Sequence, residues 1–256
     1  MNYTTNNTFY LAFKDANPSW SLIGCALTYG IIAIFGIIFN SSVIVVTCLT
    51  KSFRGSVNYL LALYSFLELV HQIGHFLFVY TAFSRQNFID YRLAAKLLFI
   101  PVIGIAGIVP TMFFTGIDRL IGIAFSEFHD KLKKRLYLAL LTVISVFYGF
   151  CYSASVYQNA ISVGDQMTTG SYLDFLKNSP IFNTINVLLI SMTFIIYLLL
   201  GIAVRIKASA SSRPILYFTS TEYRQAFQTE FPFVFNRISN PNQVIPLQNV
   251  PPLGTT

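Results

Sequence analysis

The hydrophobic and polar positions of this 256-residue chain form long uncharged runs separated by short charged stretches. Five such runs cover residues 16–50, 69–84, 97–117, 136–164 and 178–204. Four of them exceed the ~20 residues that a helix needs to cross ~30 Å of hydrocarbon, and the second reaches that length once Glu68 and the turns before it are included. The pattern predicts five membrane-spanning helices, at about 22–49, 58–83, 97–125, 136–158 and 182–206.

The runs are continuously apolar and show none of the alternating ten-residue segments of a membrane β-barrel. The composition agrees, with 54% hydrophobic residues, 11% charged residues and a mean hydropathy of +0.60. The fold class expected is therefore all-α, a multi-pass transmembrane helix bundle over residues 20–207. The three cysteines, Cys25, Cys48 and Cys151, fall within or at the ends of the runs, so they indicate neither a disulfide nor a metal site.

The flanking segments indicate the orientation of the bundle. Residues 1–19 are polar, contain glycosylation sequons at Asn2 and Asn6, and show no cleavable signal peptide, which favours an extracellular amino terminus. Twelve of the seventeen Lys and Arg residues then face the cytoplasm, and the carboxyl terminus lies inside. Because the basic residues are dispersed among the spans, the net charge of +7 favours contact with the lipid bilayer and argues against a nucleic-acid partner.

Polar residues inside the spans are candidates for an interior site. Asn40 lies in the first span, and Glu68, His71, Gln72 and His75 share one face of the second. A metal or proton-relay site would need further ligands, so we predict a hydrated stripe in which Glu68 bonds to Asn40 or binds a small cation, with no metal or cofactor. A third histidine, His129, lies in a charged loop and is expected to be solvated.

An acid–base pair, Asp118-Arg119, ends the third apolar run. Ionisable side chains at the edge of the hydrocarbon are costly, so their default interpretation is functional. The alternative is a pair that only anchors the helix end at the interface. No Ser-His-Asp, Walker or zinc-protease pattern accompanies it, and the chain is not expected to be an enzyme.

Several motifs in order along the chain resemble those of rhodopsin-like G-protein-coupled receptors, and more narrowly of the nematode chemoreceptors of serpentine receptor class sx. Gly36-x-x-x-Asn40 resembles the first-helix motif, Asn58 and Glu68 the second-helix asparagine and acidic residue, and Asp118-Arg119-Leu120 the third-helix Asp-Arg-Tyr motif. Tyr197 resembles the fifth-helix tyrosine, and Pro214-x-x-Tyr217 resembles the end of a seventh helix.

This resemblance implies a plasma-membrane receptor for an extracellular small molecule, coupled to a heterotrimeric G protein. At rest Arg119 would pair with Asp118, and on activation it would move toward Tyr197 and open a cytoplasmic crevice. Leu120 departs from the family pattern. Ala94 does too, because it stands where most such receptors have a third-helix cysteine, so the outer disulfide is expected to be absent and the loop between spans four and five to be held only by its own packing.

The largest departure from the family is a gap. Only eight residues separate Arg205 from Pro214, whereas two more crossings would need ~40 residues plus loops. The sixth helix and most of the seventh are missing, which is consistent with exon skipping, a damaged gene or a faulty gene model. Residues 213–235 are expected to form the remnant of the seventh-helix end and an interfacial amphipathic helix, and residues 236–256 a disordered cytoplasmic tail.

Three functions remain open from the sequence. The first is a chemosensory receptor that signals through the Asp118-Arg119 switch. The second is a truncated, non-signalling variant that associates with intact relatives and modulates them. The third, from another class, is a small transporter or channel that uses Glu68, His71 and His75 as a permeation path, although no inverted repeat supports it.

Overall fold

A computed structural model describes residues 8–16, 19–50, 55–84, 87–163, 166–176 and 180–210. The chain divides into two units, residues 1–210 and 211–256, and the second unit lies outside the described residues. The elements of the first unit, in chain order, are α1 (Thr8–Phe13), α2 (Trp20–Leu49), α3 (Ser56–Phe83), β1 (Ile89–Asp90), α4 (Tyr91–Leu97), α5 (Phe99–Ala124), α6 (Ser126–Lys131), α7 (Lys134–Val163), β2 (Met167–Thr168), α8 (Leu173–Leu176) and α9 (Pro180–Ala210).

Five helices within the described residues are long and apolar enough to cross a membrane, namely α2, α3, α5, α7 and α9. The predicted all-α, multi-pass class is therefore confirmed. The observed helices α7 and α9 extend at both ends beyond the predicted bounds of 136–158 and 182–206, because the residues at their ends continue the helical hydrogen bonding. Large apolar side chains such as Trp20, Phe39 and Phe194 are mostly exposed, as expected where lipid covers the outside of a bundle.

The helix α5 is the centre of the bundle. It packs against α3, α7 and α9, whereas α2 packs against α3 on the outside. Close approach of α5 and α7 requires a glycine, because a Cβ on Gly149 would lie 2.5 Å from the Ile103 carbonyl oxygen. Buried hydroxyls along α5 bond to its own backbone: Thr111 donates to Gly107 at 2.7 Å and Thr115 donates to Thr111 at 2.7 Å. These two hydroxyls inside the span are thus satisfied without water.

Candidate functional site

At the end of the bundle that holds Asp118 (the Asp118 end), one carboxylate joins α5 to three other helices. Asp118 lies in the last two turns of α5, and its side chain is fully buried. Ser56, the first residue of α3, donates its hydroxyl to Asp118 Oδ2 at 2.8 Å, and His129 of α6 places Nε2 3.1 Å from Oδ1. Tyr137 of α7 also interacts with this carboxylate electrostatically. Donors to both oxygens compensate the cost of burying the charge.

The prediction that His129 is solvated was wrong. Its side chain is only 15% exposed, and the imidazole points inward from α6 to Asp118 and Ser56. A histidine among charged neighbours was predicted to face water because the sequence does not show that the turn after α5 folds back over that helix. The contact joins residues eleven positions apart, on two different helices.

The expected pairing of Asp118 with Arg119 is not present in this structure. Successive residues of a helix point ~100° apart, so the two side chains leave α5 in different directions. Among the described residues Arg119 makes no hydrogen bond or ion pair, and its Nε is buried without a partner. A guanidinium left in this state can accept a new partner without first breaking an existing bond.

Tyr197 of α9 packs against the side of α5 that carries Gly116. Gly116 lies about one helical turn before Arg119. The position of a Cβ on Gly116 would be 3.3 Å from Tyr197 Cε2, so the absence of a side chain there lets the ring approach the helix. Tyr197 also lines an apolar cavity of about 260 Å³ between α5 and α9, together with Val109, Met112, Ile190, Thr193 and Phe194. Pro214 and Tyr217, the other predicted switch residues, lie outside the described residues.

Glu68 of α3 is the centre of a second polar cluster, nearer the middle of the bundle. Its carboxylate accepts from the Tyr64 hydroxyl at 3.3 Å and from Gln72 Nε2 at 3.2 Å, and it lies 3.2 Å from His71 Nδ1. The predicted bond to Asn40 is absent, because Asn40 Nδ2 donates to the Gly36 carbonyl of its own helix at 2.9 Å. The donors to Glu68 therefore come from α3 itself, since positions three and four apart face one another, whereas Gln72 Oε1 is buried without a partner among the described residues.

Tyr172 covers this stripe from the opposite end of the bundle (the Tyr172 end). It belongs to the connection between α7 and α9, is 94% buried, and donates its hydroxyl to the His71 carbonyl at 2.7 Å. The ring meets the imidazoles of His71 and His75 edge-on, with centroids 4.9 and 5.1 Å apart. Burial, followed by the charge of Glu68, raises the pKa of the Tyr172 hydroxyl, so it stays a neutral donor.

Gly74 makes the insertion of Tyr172 possible. A Cβ on Gly74 would lie 1.7 Å from the Tyr172 hydroxyl oxygen and 2.7 Å from Pro101 Cβ, distances at which atoms overlap. Only the lack of a side chain at this position leaves room for the ring. His75, one residue further, is stacked on Tyr29 of α2 with ring centroids 5.5 Å apart.

The expectation that the loop before α9 is held only by its own packing was wrong. Its strand β2 pairs antiparallel with β1, matching Ile89 with Thr168 and Asp90 with Met167. Thr81 at the end of α3 donates its hydroxyl to the Thr169 carbonyl. These bonds and Tyr172 fix the loop to the connection between α3 and α5 and to α3 itself. The sequence-level prediction failed because only the missing disulfide was considered as an anchor.

The three cysteines and the two sequons are the other residues that the sequence brings to attention. All three cysteines are free. Within the described part of the chain, no group of three or more His, Cys, Asp or Glu residues could hold a metal ion. The sequons at Asn2 and Asn6 lie outside the described residues. Sequence reasoning missed the roles of Ser56, His129, Gly74 and Tyr172; of these, only Gly74 carried a signal, because it lies within the polar stripe of α3, just before His75.

Residues 33–217 match the family described as serpentine type 7TM GPCR chemoreceptor Srsx. This range covers well over half of the chain and ends at Tyr217, beyond the short segment that follows Arg205. No curated protein matches the sequence. The match agrees with five apolar helices, as in a truncated receptor. The chain therefore belongs to the Srsx family of serpentine chemoreceptors, which are multi-pass receptors of the plasma membrane and not enzymes.

Proposed function

We propose that this chain senses an extracellular small molecule and signals to a heterotrimeric G protein through Asp118, Arg119 and Tyr197. The observation that supports this most strongly is the Asp118 end, where a fully buried carboxylate is held by three neighbouring elements while the adjacent guanidinium has no partner among the described residues. A charge kept inside a membrane protein without a fixed partner costs stability, and a functional role explains why it is retained.

The ligand would bind at the Tyr172 end, which faces the outside if the amino terminus is extracellular. Tyr172, His71 and His75 form an aromatic surface with imidazole nitrogens beside Glu68, and the hydrogen-bonded loop lies over it. Such a surface suits a small, partly apolar molecule with one polar group. Binding that favours one arrangement of the loop would shift the equilibrium of the bundle toward the signalling state.

The test is a cell-surface signalling assay with pools of small volatile and soluble chemicals. Ligand-dependent G-protein activation should be present for the natural chain and lost with Arg119→Ala. The matched control is Arg135→Ala, which removes an exposed positive charge near the same end. If flux of an ion or solute is found instead, and Glu68→Gln abolishes it while Arg119→Ala does not, the chain is a transporter or channel.

A second candidate function is a non-signalling variant that binds intact relatives in the membrane. It is favoured by α9, which packs against α5 and contacts α7 through Phe182 and Asn186, yet has only 6% of its most apolar stretch buried. The open cavity beside Tyr197 is lined by residues of α9 and α5. Co-expression with an intact family member tests this: the variant should change the surface level of that receptor, and an unchanged level would contradict it.

A further inference from the structure

The connection between α5 and α7 contains a helix of one and a half turns, α6, which is too short to be stable alone. The residues from Ala124 to Phe128 are exposed, and the next residue, His129, is the one that turns inward. Its imidazole lies over the Asp118 carboxylate, so a single side chain joins this connection to the buried end of α5. Contacts of this kind decide whether a short connection is ordered.

Both oxygens of Asp118 are in use in this arrangement. Ser56 occupies Oδ2 and His129 occupies Oδ1, whereas Arg119 makes no bond to either among the described residues. A guanidinium forms its strongest carboxylate contact as a fork that engages both oxygens. The imidazole therefore takes one of the positions that such a fork would need.

We propose that His129 is a positioning residue that ties the α5–α7 connection to Asp118 and so keeps Asp118 from pairing with Arg119. The inference rests on the proposed signalling role of Asp118 and Arg119, and it adds control of that pair from the connection. The tether is a hydrogen bond from the connection to a carboxylate that is buried in the bundle, and such bonds are stronger than those between neutral groups.

The experiment is hydrogen–deuterium exchange of the full chain in lipid nanodiscs, measured over residues 125–132 and corrected for intrinsic exchange. His129→Leu should exchange about tenfold faster than the natural chain, since its bond to a buried carboxylate is lost. His129→Gln keeps an N–H donor, so its protection should lie between those of the natural chain and His129→Leu.

The matched control is Glu127→Gln, which alters an exposed charge on the same helix and should behave as the natural chain. Unchanged protection in His129→Leu would overturn the proposal, as would protection in His129→Gln no better than in His129→Leu. If His129→Leu does not fold, the comparison of the natural chain with His129→Gln decides alone. Exchange needs neither ligand nor G protein, so the tether can be present even if Arg119→Ala shows that the proposed signalling is wrong.

Discussion

Gly74→Ala is the substitution that tests the Tyr172 anchor most severely. The added methyl carbon would lie 1.7 Å from the Tyr172 hydroxyl oxygen, 2.6 Å from its Cζ and 2.7 Å from Pro101 Cβ. Pro101 lies in α5, so it cannot move aside without shifting a central helix. The ring of Tyr172 must therefore leave its site between the histidines, and its bond to the His71 carbonyl is lost.

The expected cost follows from what the ring loses. Removing a buried aromatic side chain from its packing costs about 3–5 kcal/mol. Alanine in place of glycine within a helix returns about 1 kcal/mol through its higher helix propensity. The free energy of unfolding should therefore fall by about 2–4 kcal/mol in Gly74→Ala. The loss should be concentrated at the loop over residues 166–176, which Tyr172 holds in place.

The assay is reversible unfolding in mixed micelles, combined with limited proteolysis of the loop over 166–176. Gly24→Ala is the matched control, since a Cβ there meets nothing within 4 Å, and it should be neutral or slightly stabilising. In a Tyr172→Ala background the clash with the ring is gone and only the contact with Pro101 Cβ remains, so Gly74→Ala should then cost clearly less than in the natural chain. Equal and additive costs in both backgrounds would refute the reasoning.

Four further substitutions test individual contacts. Tyr172→Phe removes one buried hydrogen bond, so it should lower the free energy of unfolding by about 1 kcal/mol and speed exchange in the loop. Ser56→Ala should cost about 1–3 kcal/mol in the same unfolding assay, because a buried carboxylate loses a donor, whereas Ser145→Ala removes a buried hydroxyl without a partner and should be neutral or stabilising. Gly149→Ala should separate α5 from α7, because its Cβ would overlap the Ile103 carbonyl, and should lower thermal stability more than any of these.

The helices were predictable because lipid imposes one requirement on the whole chain. A span must be continuously apolar and long enough, and both properties are visible in a local window of sequence. The polar stripe of α3 was predictable for a similar reason, since Glu68, His71 and Gln72 interact within two turns of one helix. The matched family adds the order of the motifs, which composition alone does not supply.

The contacts that define both ends of the bundle were not predictable from local patterns. Tyr172 reaches His71 across 101 residues, and Ser56 reaches Asp118 across 62. Neither pair carries a charge pattern or spacing that connects its members. The absence of an Asp118–Arg119 contact in this structure was not predictable either, because the two carboxylate oxygens of Asp118 are occupied by Ser56 and His129 from other helices.

The most direct test of the central claim, that this chain couples to a G protein through Arg119, is nucleotide exchange by purified G proteins in the presence of the full chain in nanodiscs. The account predicts exchange above that of empty nanodiscs for the natural chain and for Arg135→Ala, and none above background for Arg119→Ala. Background exchange for the natural chain with every class of G-protein α-subunit, or equal activity in Arg119→Ala, would contradict it.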